Sequence, residues 1–270
     1  GIGHAAGVVA YLAGGTVKMC VNRASVTTDK CCYTAGIVGG SENGKIKNCR
    51  NTGEISSTYE STGGHAAGIA NEAESVTQCW NEGDIELKTV KGKSANSRVA
   101  GVATGAPVLN SANFGKVSGP TWAETGVSIG GVGTTAVSNS YNLGTVTGAA
   151  GKTYNISGGT VVNSYYADIA GKTGIYVKDS AGITDADKSQ SITITEVDGK
   201  KAYKVGNVEL VDVLNGACKN ISGALEWINK QEAPNNPVHI TRWDGSFEPG
   251  VKGVITLVYD PNGGEGAAVT

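Results

Sequence analysis

The sequence predicts an all-β fold, a right-handed parallel β-helix or solenoid of about six coils closed by a small mixed α/β cap. Three observations predict it. A short phrase with fixed apolar, small and turn-forming positions recurs six times, at Thr16, Lys45, Ser75, Pro107, Ala136 and Thr160. A second phrase, small-Gly-aliphatic, stands ahead of each copy, and its glycines, Gly7, Gly36, Gly68, Gly101, Gly131 and Gly159, are 29, 32, 33, 30 and 28 residues apart. Within the phrases, apolar or small residues alternate between Gly, Asn and Ser, which is the vocabulary of strands and turns. A period near thirty residues means one supersecondary unit stacked on copies of itself.

The elements follow in chain order. The copies read "TVKMCVNRASV", "KIKNCRNTGEI", "SVTQCWNEGDI", "PVLNSANFGKV", "AVSNSYNLGTV" and a decayed "TVVNSYYADIA". In a solenoid, equivalent positions of successive coils lie above one another at about the 4.8 Å strand spacing, so each position becomes a column. Cys20, Cys49, Cys79, Ser111, Ser140 and Ser164 form a small inward column at a tight corner. Asn22, Asn51, Asn81, Asn113 and Asn142 form a second, whose amides can pair along the stack. Gly53, Gly83, Gly115 and Gly144 form a third, where the expectation is a left-handed backbone. Ala24 and Asp168 break it at its ends.

Composition limits the alternatives. Glycine supplies 41 of 270 residues without a strict three-residue period, and only 6 are proline, which excludes collagen and Pro-rich disorder. Twenty-two basic against 24 acidic residues give a net charge of −2, and no basic field argues for nucleic acid. No apolar run of about twenty residues predicts a membrane span. Three of the 6 cysteines belong to the inward column, where parallel side chains are poorly placed for bridging. Cys31, Cys32 and Cys218 remain open to bridging.

The ordered pair of phrases, small-Gly-aliphatic and then aliphatic-x-x-Cys/Ser-x-Asn-x-Gly-x-aliphatic, resembles the GLUG-motif repeats of bacterial surface proteins over residues 1 to 175. That motif also lies beside the catalytic domain of immunoglobulin A-cleaving metallopeptidases. The resemblance implies an extracellular solenoid module of a longer surface protein. It carries no reaction, because the chain has no His-Glu-x-x-His stretch to bind zinc.

Residues 176 to 250 read as the cap that an open solenoid end needs for solubility. "SITITEVDGKKAYKV" is two alternating strands around Asp198-Gly199, a strong hairpin signal. "VELVDVLNGA" and "ISGALEWINKQ" read as two short amphipathic helices, and "PVHITRW" as a returning strand. The Leu-Asn, Trp and Pro-aliphatic succession is similar to the segment that closes GLUG arrays. Residues 251 to 270, "GVITLVYDPNGGEGAAVT" within them, resemble the start of an internalin-type repeat, with one more cap strand as the alternative. Because Gly1 falls inside a repeat, the chain is expected to continue into other domains of a parent protein.

Candidate chemistry is sparse, and no cofactor or metal set is predicted. His4 and His65 occur in two "GHAAG" stretches with Tyr33 at the equivalent place between, putting the imidazoles about 9.6 Å apart, too far to share a metal. His239 has no visible partner, and Asp260-Pro-Asn-Gly-Gly lacks the ligand count of a calcium loop. The outward column between Cys/Ser and Asn carries Arg50, Trp80, Tyr141 and Tyr165, and a second outward column carries Glu54, Asp84 and Lys116. Exposed aromatics on a solenoid suit sugar rings or a partner surface, so Trp80, Tyr141, Tyr165 and Arg50 are the expected ligand-binding residues. The function expected is a non-enzymatic extracellular spacer or adhesin binding glycans or host proteins. The alternative is a carbohydrate-active β-helix enzyme, which needs a cleft with converging titratable groups.

Overall fold

A computed structural model of the chain describes residues 3–167, 189–197, 200–220, 226–229 and 238–240. The described chain winds as a β-solenoid of about six coils. The coils contribute short strands to five parallel sheets; in the second coil these are Tyr33–Ala35, Val38–Ser41, Gly44–Lys47, Arg50–Asn51 and Ile55–Thr58, and the fifth coil joins the second sheet only through a bridge from Gly133 to Ala103. Every column pairs in register: Ile46 lies between Val17 and Val76, and Asn51 between Asn22 and Asn81.

Two apolar clusters fill the coil. One gathers Ile37, Val38, Ile46 and Cys49 with their counterparts, the other Ile55, Ala66, Ile85 and Val99 with theirs. Between them the coil is pinched where the two repeated phrases meet. A Cβ added to Gly36, Gly68 or Gly101 would strike the Asn51, Asn81 or Asn113 amide of its own coil and the glycine carbonyl of the next coil. The phrases therefore recur together because they touch across this waist.

The asparagines form a continuous ladder. Each Nδ2 donates to the Oδ1 of the next coil's asparagine, at 2.7 Å from Asn22 to Asn51 and from Asn51 to Asn81, 2.9 Å from Asn81 to Asn113 and 2.8 Å from Asn113 to Asn142. Each Nδ2 also donates to the backbone carbonyl two residues on, as Asn81 does to Gly83 at 2.6 Å. These buried amides are thereby satisfied inside the coil, where unpaired ones would be costly.

The corner column works similarly. Cys79 Sγ donates to the Thr77 carbonyl at 3.2 Å and Ser111 Oγ to that of Leu109 at 2.9 Å. Each also accepts a backbone N–H from the coil before, Cys49 N at 3.3 Å and Cys79 N at 3.1 Å. Serine replaces cysteine down the stack because a hydroxyl makes the same two bonds. All six cysteines are free, and Cys49 and Cys79 are fully buried.

Three expectations are corrected. The left-handed column is not Gly53, Gly83, Gly115 and Gly144 but the residue before each Cys or Ser: Met19, Asn48, Gln78, Asn110, Asn139 and Asn163, with φ from 45° to 58°. The glycines are required by close approach, since a Cβ on Gly83 would run into the Gly53 carbonyl oxygen, and likewise along the column. In the sixth coil, the partners of Gly130-Gly131-Val132 are Tyr154, Asn155 and Ile156, not Gly158-Gly159-Thr160. Finally, Trp227–Asn229 is a strand, antiparallel to Val238–Ile240, where "ISGALEWINKQ" suggested helix.

The cap grows from the fourth sheet. Ser164–Ala167 pairs in parallel with Ser189–Val197, which pairs antiparallel with Lys200–Val205, Val197 opposite Lys200; Asp198 and Gly199 lie outside the described residues. The helix Leu210–Cys218 presents Leu210, Leu214 and Cys218, spaced by four residues, as its buried stripe. Asn215 pins Trp227, accepting its N–H at 2.6 Å and donating to its carbonyl at 2.9 Å. Asp168 and residues 251–270 lie outside the described residues.

Candidate functional site

The outward column between corner and ladder is not a solvent-facing aromatic surface. Trp80, Tyr141 and Tyr165 are 1%, 0% and 6% exposed. They share one apolar cluster with Ile192, Tyr203, Leu210, Leu214 and Trp227, and the Tyr141 and Trp227 ring centroids are 5.4 Å apart. Outward from the coil is inward to the cap. Arg50 is half-buried and engaged, with Nε and Nη2 each donating to Glu82 at 2.9 Å and its guanidinium 5.8 Å from the Trp80 ring. Trp80, Tyr141 and Tyr165 are brought together as an interface between solenoid and cap, whereas Arg50 is tied to Glu82 and Trp80 within the solenoid. Glu54, Asp84 and Lys116 are exposed, as expected.

The structure concentrates titratable groups elsewhere, on the first sheet. In-register strands align His4, Tyr33, His65, Arg98 and Ser128 in one column. His4 and Tyr33 stack with centroids 5.0 Å apart, and His65 meets Tyr33 edge-on at 4.6 Å. The second sheet turns against this column. Gly40 lies so near that a Cβ would enter the His4 imidazole, and Tyr11 tilts over His4 at 4.9 Å with its hydroxyl donating to Glu42 at 3.1 Å.

Glu72 is the centre of the group. Arg98 Nη1 donates to its Oε1 at 3.2 Å, and His65 Nδ1 lies 3.3 Å from the same oxygen. Glu72 itself holds a left-handed backbone at φ 53°, and its carboxylate occupies the space that a Cβ on Gly105, at φ 64°, would fill. Beneath it a buried polar chain runs from Thr104, donating to Asn71 Oδ1 at 2.6 Å, to Asn71 Nδ2, donating to the Thr34 and Gly39 carbonyls at 3.1 and 2.8 Å.

Burial, and then the Arg98 charge, push His65 down to about 3, so its imidazole is neutral near pH 7. Desolvation pushes the Glu72 carboxyl up, opposed by Arg98. Desolvation also raises the Tyr33 phenol, and Glu72 adds to it. The arrangement offers adjoining hydrogen-bond donors and acceptors beside an aromatic column. Sequence reasoning found His4, Tyr33 and His65 but missed Arg98 and Glu72. The signal for Arg98 was present: it stands three residues before Gly101, as each histidine stands before its own phrase glycine.

No protein-family model matches the sequence, and neither a curated protein nor a solved structure matches it. Among the described residues, no three His, Cys, Asp or Glu side chains are grouped to hold a metal ion. No described helix is long and apolar enough to cross a membrane.

Proposed function

We propose that the chain is a non-enzymatic extracellular module, a rigid spacer or adhesin of a larger bacterial surface protein of the GLUG-repeat type. The observation that carries this reading is where the recurring residues are spent. The corner thiols and hydroxyls, the asparagine ladder and the phrase glycines all bond or pack from coil to coil. What recurs thus builds length and stiffness, and the surface between is left to vary, as suits a displayed module. Glycans and host surface proteins are the partners proposed. The supporting test is a glycan and host-protein binding screen run beside a polysaccharide-cleavage assay: binding without turnover is expected, and turnover of any polysaccharide would overturn the reading.

The second reading, a carbohydrate-active β-helix enzyme, is favoured by one feature, the convergence of Glu72, His65, Arg98 and Tyr33 on one face. Against it, Glu72 and His65 are turned toward each other, and His65 is 5% exposed, out of reach of a bound chain. A general base must reach the proton that it takes.

A further inference from the structure

We infer that Glu72 and Arg98 form a binding site for a neutral pyranoside presenting two vicinal hydroxyls. This inference rests on the adhesin reading and names the ligand class and place that it leaves open. Arg98 and His65 converge on one carboxylate oxygen, Glu72 Oε1, and Arg98 uses only Nη1 to do so. Glu72 Oε2 and the remaining guanidinium N–H groups have no partner among the described residues. An acceptor with no donor therefore lies beside donors with no acceptor, on side chains 37% and 38% exposed.

A vicinal diol fits that pair, because each hydroxyl can donate one bond and accept another. Glu72 Oε2 would accept from one hydroxyl while Arg98 donates to its neighbour, and bonds to charged groups are the stronger kind. The pair is neutral as a whole, which favours an uncharged sugar; a uronate would face the Glu72 carboxylate.

The site is also held ready. The bond from Arg98 and the proximity of His65 fix the carboxylate, and Gly105 keeps its place clear. Pre-organisation of this sort lowers the ordering cost of binding.

The test is titration of the whole chain with methyl mannopyranoside and methyl galactopyranoside, both with cis-vicinal hydroxyls, and with cyclohexanol as a ring lacking the diol. Two substitutions are built into the solenoid's own columns. Arg98→Ser installs the residue of the next coil, Ser128, and Glu72→Gly installs the Gly105 equivalent at a backbone conformation glycine prefers. Unchanged thermal unfolding then certifies the fold. The expected result is saturable binding of at least one pyranoside, none of cyclohexanol, and a loss of at least about tenfold in each variant, about 1.4 kcal/mol. Pyranoside binding undiminished in both variants would overturn the site while leaving the adhesin reading standing. Failure of every pyranoside, with a glycan array also blank, would overturn the site and the glycan part of that reading together.

Discussion

At the scale of single residues, the fold rests on side chains that bond to their own kind one coil away. Replacing Cys79 with serine should cost less than about 1 kcal/mol, because Ser111 and Ser140 already make the same bonds, whereas leucine should overpack the corner and cost roughly 1 to 3 kcal/mol. Chemical denaturation of the two variants checks the contrast. Replacing Asn81 with leucine should be worse than either, since it strands the Asn51 donor, the Asn113 acceptor and the Gly83 carbonyl; on the order of 3 kcal/mol or more is expected from the same measurement. His65 gives a pH signature. Its folded pKa is depressed to about 3 from an ordinary 6.5, so the unfolded chain binds the extra proton between those values. Stability from this group is full above about 6.5 and is lost as pH falls toward 3, by up to a few kcal/mol. Glu72, shifted upward, works in the opposite sense, because its raised pKa favours the folded state only at low pH. Thermal unfolding across that range should therefore fall toward acid, and the slope should flatten in His65→Gln. The inward thiols and amides were legible from their spacing alone. The left-handed position was not, because Met19 and Gln78 mask a column that otherwise reads as asparagine.

At the scale of elements, two glycine requirements separate cleanly. Gly83→Ala should be severely destabilising, since its Cβ meets a backbone carbonyl that cannot move without the coil below. Gly63→Ala, with φ at 82° but open space around it, should cost only about 1 to 2 kcal/mol of backbone strain. Equilibrium unfolding of the pair distinguishes close approach from left-handed conformation as the reason for a glycine. The strands and their coil order were readable because the period fixes the register. The sixth coil was not, because its true partner for Gly131, Asn155, has neither the glycine nor the alanine that mark the phrase elsewhere. The Trp227 segment was misread for a related reason. Its apolar residues fit a helical stripe as well as a strand, and pairing with Val238–Ile240 and the Asn215 clasp decide in favour of the strand.

At the scale of the whole molecule, the cap and the solenoid share one core along the fourth sheet. Ending the chain after Ala167 should bare Trp80, Tyr141 and Tyr165, and the shortened protein should bind a hydrophobic dye and self-associate in sedimentation experiments where the full chain does not. The sequence could place these aromatics on the outward face but could not show what lies over them, because that depends on where a non-repeated segment folds back. The candidate site was half legible for the same reason, its histidines and tyrosine belonging to the repeat while Glu72 arrives from a neighbouring sheet. The central claim is that the recurring phrases stack in register through a buried ladder of asparagine amides. Solution NMR of the side-chain amide protons of Asn51, Asn81 and Asn113 tests it most directly. The account predicts slow hydrogen exchange at all three and nuclear Overhauser contacts from each amide to that of the next coil; rapid exchange with no contact between coils would contradict it.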